Sequence, residues 1–153
     1  MTTSNQKATM LGGCICLLLL AVIGPEAVQA SSVEPVLAGP WAPEQRGYGH
    51  VKPQTIFNGG DPTGLVKRIN WISWGGRRAV GTGTGFWVGP HQFVAQGHFE
   101  KGARIVRSHL GRCHGRRAYN AIEWYFPRHG QRFRPGTYIN ACTGRYYTNG
   151  HPD

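Results

Sequence analysis

Glu123 is the side chain with the strongest claim to chemistry. It lies in an alternating stretch between Tyr119 and Tyr125, and the chain supplies His98, His109, His114 and His129 as imidazole partners, with thirteen arginines besides. One carboxylate, one imidazole and cations around an anion are the groups that phosphodiester cleavage needs: a base, an acid and a guanidinium against the phosphate. Glu123 with His129 is therefore the catalytic alternative. The competing reading is structural, with Glu123 paired to an arginine on a neighbouring strand.

Other catalytic patterns are weaker. Gly81-Thr82-Gly83-Thr84-Gly85 lacks the Gly-Lys-Ser/Thr and the helix of a phosphate loop. No serine stands in Gly-x-Ser-x-Gly, and the only aspartates are Asp61, in turn chemistry, and Asp153, at the last position. Cys113-His114 places two ligand types side by side, yet no Cys-x-x-Cys or His-x3-His spacing accompanies them. Neither a metal nor a cofactor is expected, and an enzyme is not the first reading.

Binding has better support. Trp124, Tyr125, Arg128, Arg132 and Arg134 interleave rings with guanidinium groups, an arrangement in which cations follow phosphates while rings stack on bases. The same residues would suit an anionic glycan. The chain carries 17 Lys+Arg against 7 Asp+Glu, a formal charge of +10. Such a charge favours anionic partners, either nucleic acid or an anionic polymer of the cell envelope.

The elements that must position these residues read as strands. Turn chemistry at 58–64 and Gly75-Gly76 separates candidate strands at 52–57, 65–74 and 78–88. Further strands are expected at 91–95, 103–110, 118–126 and 138–142, with 96–102 a turn. In 65–74, Ile69 and Trp71 share one face while Ile72 and Trp74 share the other. Either both faces are covered or a bulge resets the register. Gly81, Gly83 and Gly85 leave one face of their strand without side chains, and an indole from Trp71, Trp74 or Trp124 is expected across that groove. In 118–126, Ala118, Ile122, Trp124 and Phe126 should face inward and Tyr119, Glu123 and Tyr125 outward. No window shows helical periodicity. The expected fold is all-β, a small antiparallel sandwich or barrel-like domain.

The N-terminus sets the address. A polar stretch with Lys7 precedes an apolar run centred on Leu17-Leu18-Leu19-Leu20; Pro25 and the small residues Val28 and Ala30 follow. This is the order of a cleaved secretory signal over 1–30. The expected location is extracellular, with no membrane span left after cleavage. Residues 31–50, rich in Pro and Gly, read as an extended arm, 51–144 as the β domain and 145–153 as a polar tail. Outside the cytoplasm, Cys113 and Cys142 should pair, and closing a loop of about 30 residues is worth roughly 3–4 kcal/mol.

Three stretches carry a resemblance: 57–88 with Trp71-Ile72-Ser73-Trp74-Gly75-Gly76 and the Gly-Thr-Gly-Thr repeat, 110–127 with Glu123-Trp124-Tyr125-Phe126-Pro127, and 138–144 with Cys142. Together they resemble a group of small secreted actinobacterial proteins of unknown function. The resemblance implies export and a compact disulfide-bonded domain, and it brings no activity. The expected function is non-catalytic binding of an anionic extracellular or envelope partner. A nuclease-like hydrolase is the alternative, and an inhibitor or toxin acting on another secreted protein is a third.

Overall fold

In the computed structural model, which describes residues 33–153, the β-branched and aromatic runs between glycine-rich turns form one sheet. Its strands are β1 (Val36–Leu37), β2 (Thr55–Phe57), β3 (Leu65–Ser73), β4 (Ala79–Trp87), β5 (His98–Cys113), β6 (Arg116–Tyr125), β7 (Tyr138–Asn140), β8 (Tyr146–Thr148) and β9 (His151–Pro152). The leader expected over 1–30 lies outside the described residues. From β2 to β9 the strands follow one another in an antiparallel meander, and β1 pairs with β6 in parallel. The sheet curls into a half-barrel. Among the described residues the helical elements are three short 3-10 turns, and no helix is long and apolar enough to cross a membrane.

Register irregularities decide which residues face the interior. In β3 the pairing to β4 shifts between Lys67 and Asn70 and again between Trp71 and Ser73. These bulges resolve the phase change in that strand. Val66 and Ile69 are both buried, Ile72 is left exposed, and Trp74 returns to Trp71 with ring centroids 4.8 Å apart. A third shift, between β4 and β5, skips Gly102, which has φ 93°. Glycine adopts that left-handed conformation without the Cβ clash other residues suffer, as a bulge of this kind requires.

The glycine face of β4 is filled by the protein's own side chains. A Cβ on Gly81 would meet Trp71 and Ile69, on Gly83 Val66 and Ile69, and on Gly85 Phe126. Trp71 is thus the indole in the groove, but it shares the groove with aliphatic neighbours and Phe126.

The described part of the expected arm, residues 33–50, belongs to the core. Leu37 and Ala38 are essentially inaccessible and Tyr48 is buried. Leu37 donates to the His50 carbonyl and accepts from Gly49, while Arg46 and Phe57 exchange backbone hydrogen bonds. A hydrogen-bonded path therefore runs from β6 through β1 and residues 46–50 to β2. The apolar Val36-Leu37-Ala38 triplet inside a Pro/Gly-rich stretch was the available signal.

Three further expectations differ from the structure. Residues 145–153 form β8 and β9 rather than a loose tail. Residues 91–96 are exposed and end in a 3-10 turn at Val94–Gln96, so the strand expected there is absent and β5 starts earlier, at His98. Tyr119, expected outward, is fully buried because the 75–76 turn folds onto it. Its hydroxyl accepts from Gly75 N–H at 2.9 Å and donates to Gly76 O at 2.8 Å. Cys113 and Cys142 form the expected disulfide, with Cα atoms 5.8 Å apart.

Candidate functional site

An open cleft with two arginines and a histidine in its lining lies on the outer face of the sheet. It encloses about 800 Å³ and is lined by Arg77, Arg78, Ser108, His109, Leu110, Phe133 and Pro135. The β3–β4 turn supplies the two arginines, β5 supplies the floor, and the loop after β6 supplies Phe133 and Pro135. Arg78 lies over the Phe133 ring at 5.0 Å, and the His109 imidazole meets the Tyr138 ring edge-on at 4.6 Å. The cleft therefore presents two guanidinium groups and an imidazole beside an aromatic face. Such a surface can neutralise phosphate and stack a planar group at once.

Glu123 projects from the same outer face, opposite Val106. Both its carboxylate oxygens accept from the Arg134 N–H at 3.3 Å, between the two cleft residues Phe133 and Pro135. Burial pushes its pKa up to about 7, against the opposing effects of the Arg134 N–H and the Arg134 charge. Glu123 thus anchors the loop that walls the cleft. The neighbouring-strand arginine expected to pair with it is replaced by the backbone of a loop arginine.

His129 is not brought to Glu123. Its Nε2 lies 2.7 Å from Glu100 Oε2, and its ring is stacked on Trp87 at 3.9 Å with an interplanar angle of 3°. Glu100 escaped the sequence reading because only the Gly102 bulge decides which way it faces. Trp124 is half-buried and packs against the interior cluster of buried side chains, the inward position that alternation gives it, rather than standing with the loop arginines. Tyr125 is half-buried opposite Arg104, and Arg128, Arg132 and Arg134 are exposed along the 127–137 loop. Of the five residues expected to bind, the loop arginines and Tyr125 keep accessible positions. The cleft adds Arg77, Arg78 and His109, which come from segments far apart in sequence.

Inside the half-barrel stands Arg107, fully buried. Its guanidinium lies 4.3 Å from the Trp71 ring and 4.8 Å from the Trp74 ring. Among the described residues none of its three nitrogens has a hydrogen-bond partner. Burial lowers its pKa to about 9, opposed by Tyr48 and Tyr119. Burial also raises Tyr48, so that phenol stays neutral and provides no counter-charge.

Cys113, His114 and Cys142 bring three potential ligand atoms within 4.8 Å of one another, but the two sulfurs are joined to each other. The fold and the cleft define an all-β, disulfide-bonded half-barrel with a cationic outer groove. The chain matches no protein-family model, no curated protein and no solved structure.

Proposed function

We propose that this is an exported, non-catalytic domain that holds a phosphate-bearing anionic polymer in its outer cleft. The supporting observation is the convergence of Arg77, Arg78 and His109 beside Phe133 in one open cleft of about 800 Å³. The formal charge of +10 favours encounter with such a polymer. The resemblance to small secreted actinobacterial proteins supports export, and an anionic envelope polymer fits that setting as well as single-stranded nucleic acid does.

Binding should be measured by fluorescence anisotropy with a labelled single-stranded oligonucleotide and with a polyglycerol phosphate across a salt series. For the oligonucleotide, log K should fall linearly with log salt. Replacing Arg77 and Arg78 together by Ala should lower the slope by about 0.7 for each phosphate that is no longer neutralised. Salt-independent binding, or a double variant that binds like the parent, would reject the cleft as the site.

The hydrolase reading keeps one observation in its favour: a carboxyl group on the same face whose pKa is pushed up to about 7. Its imidazole would have to be other than His129, which Glu100 engages. Intact oligonucleotide recovered from the binding samples counts against it.

A further inference from the structure

We propose that the outer face of β2–β5, at the end of the ladder where Trp87 pairs with His98, docks onto an anionic phospholipid bilayer. The argument starts from register. Phe57 pairs with Leu65, Lys67 with Thr84, Thr84 with Lys101 and Phe86 with Phe99. Paired residues project to the same side of a sheet, and so do residues two apart on one strand. Phe57, Leu65, Lys67, Phe86, Phe99 and Lys101 therefore share one face, opposite the buried Ile56 and Val66. The β4–β5 connection extends it. A Cβ on Gly97 would meet the side chains of Phe86 and Val88, so the loop is seated against this face. From that seat Phe93 stands 81 % exposed, and Val94 and Phe99 are exposed as well.

The surface interleaves apolar groups with cations. Lys67 Nζ lies 3.7 Å over the Phe99 ring. Arg46 and Lys67 border an apolar pocket of about 360 Å³ lined by Thr55, Phe57 and Leu65. Among the described residues none of Arg46, Lys67 and Lys101 has an ion-pair partner. Of the acidic groups at this end, Glu100 projects to the opposite side and meets His129. Asp61 accepts hydrogen bonds from Thr63 within the 58–64 turn, and Glu44 stands beside that turn at Gly59. Interfacial binding adds buried apolar area to attraction between cations and anionic headgroups, and this face offers both.

The loop that carries Phe93 favours lipid over a water-facing role. Its polar groups close on one another. Gly89 N–H donates to Gln92 Oε1 and Phe93 N–H to Gln96 Oε1. Gln92 N–H donates to Gly89 O, Gln96 N–H to Phe93 O and Gly97 N–H to Val94 O. Backbone that leaves water needs its hydrogen bonds made internally, and this loop makes them while displaying a phenyl ring and a valine. The face is separate from the outer cleft, which lies toward the other end of the β4–β5 ladder, where Ala79 pairs with Arg107.

The test is co-sedimentation of the oxidised protein with vesicles of equimolar phosphatidylglycerol and phosphatidylcholine, and with vesicles of phosphatidylcholine alone. Binding is expected to the mixed vesicles, weakening with added salt, and to be far weaker without the anionic lipid. Phe93→Ser should weaken it about tenfold. Lys67→Gln combined with Lys101→Gln should weaken it about fivefold for each cation removed. Thermal melts report whether each variant folds, and Phe93→Ser at an exposed position is the safe one. Val33→Ser, at a valine 77 % exposed outside this face, should bind like the parent. The Arg77→Ala/Arg78→Ala double variant should retain the Phe93-dependent part of binding, which separates this face from the cleft. No binding to the mixed vesicles, equal binding to both vesicle types, or unchanged binding in Phe93→Ser would overturn the proposal. So would sedimentation velocity without lipid that shows a dimer abolished by Phe93→Ser, which would assign the face to a second copy of the chain.

Discussion

Arg107 is a charge without a counter-charge. Two indole faces flank it, and desolvated cation–π contacts of this kind contribute about 2 kcal/mol or more. An ammonium is more strongly hydrated and cannot lie flat between rings. Arg107→Lys should therefore destabilise the domain, whereas Arg107→Met, of similar length and no charge, should be neutral or stabilising by up to about 4 kcal/mol. Urea unfolding of both variants checks this. A loss of more than about 3 kcal/mol in Arg107→Met would show that the guanidinium is held by a fixed acceptor. Glu123 gives a pH signature. Its carboxyl titrates near 4.5 when unfolded and near 7 when folded, because burial disfavours the charged form. The folded state then binds the extra proton between these values, so the group's contribution to stability falls as pH rises from 4.5 to 7. Unfolding midpoints across that window should show a shallower decline in Glu123→Gln. An unchanged decline would assign the pH dependence to other groups.

At the scale of elements, alternation revealed where strands lie but not where they slip. The phase conflict in 65–74 was visible in the order of Ile69, Trp71, Ile72 and Trp74, and bulges account for it. The bulge at Gly102 left no comparable trace. Its neighbours Glu100 and Lys101 are both polar, so a change of face alters no hydrophobic pattern. That is why the pairing of His129 with Glu100 was hidden. The short strand β1 was hidden for a different reason, since two residues are too few to show a period. Its importance is nevertheless large. Leu37 is completely inaccessible while Val33, four residues earlier, is 77 % exposed. Leu37→Ala should cost about 2–5 kcal/mol in urea unfolding, and Val33→Ala should stay within about 0.5 kcal/mol. Equal, negligible effects would mean that 33–50 is an arm after all.

For the molecule as a whole, the all-β class and the Cys113–Cys142 bond were readable, because turn residues recur between short β-rich runs and only two cysteines follow the leader-like segment. The outer cleft was not readable in full. Its walls come from residues 77–78, 108–110 and 133–135, and only tertiary folding makes them neighbours. The 128–134 arginines were legible because they cluster in sequence. The loop that carries them also supplies Phe133 and Pro135 to the cleft, and the Arg134 N–H of that loop is held by Glu123.

The parallel pairing of Val36 with Ala118 has a temporal consequence. A ribosome adding about 5–20 residues per second needs on the order of 4–16 s to deliver the second partner after the first. Throughout that interval Leu37 has no strand to lie against, and its apolar surface stays open to any chaperone or neighbouring nascent chain. Completion of the core is thus a late event, set by the arrival of the distal third of the polypeptide.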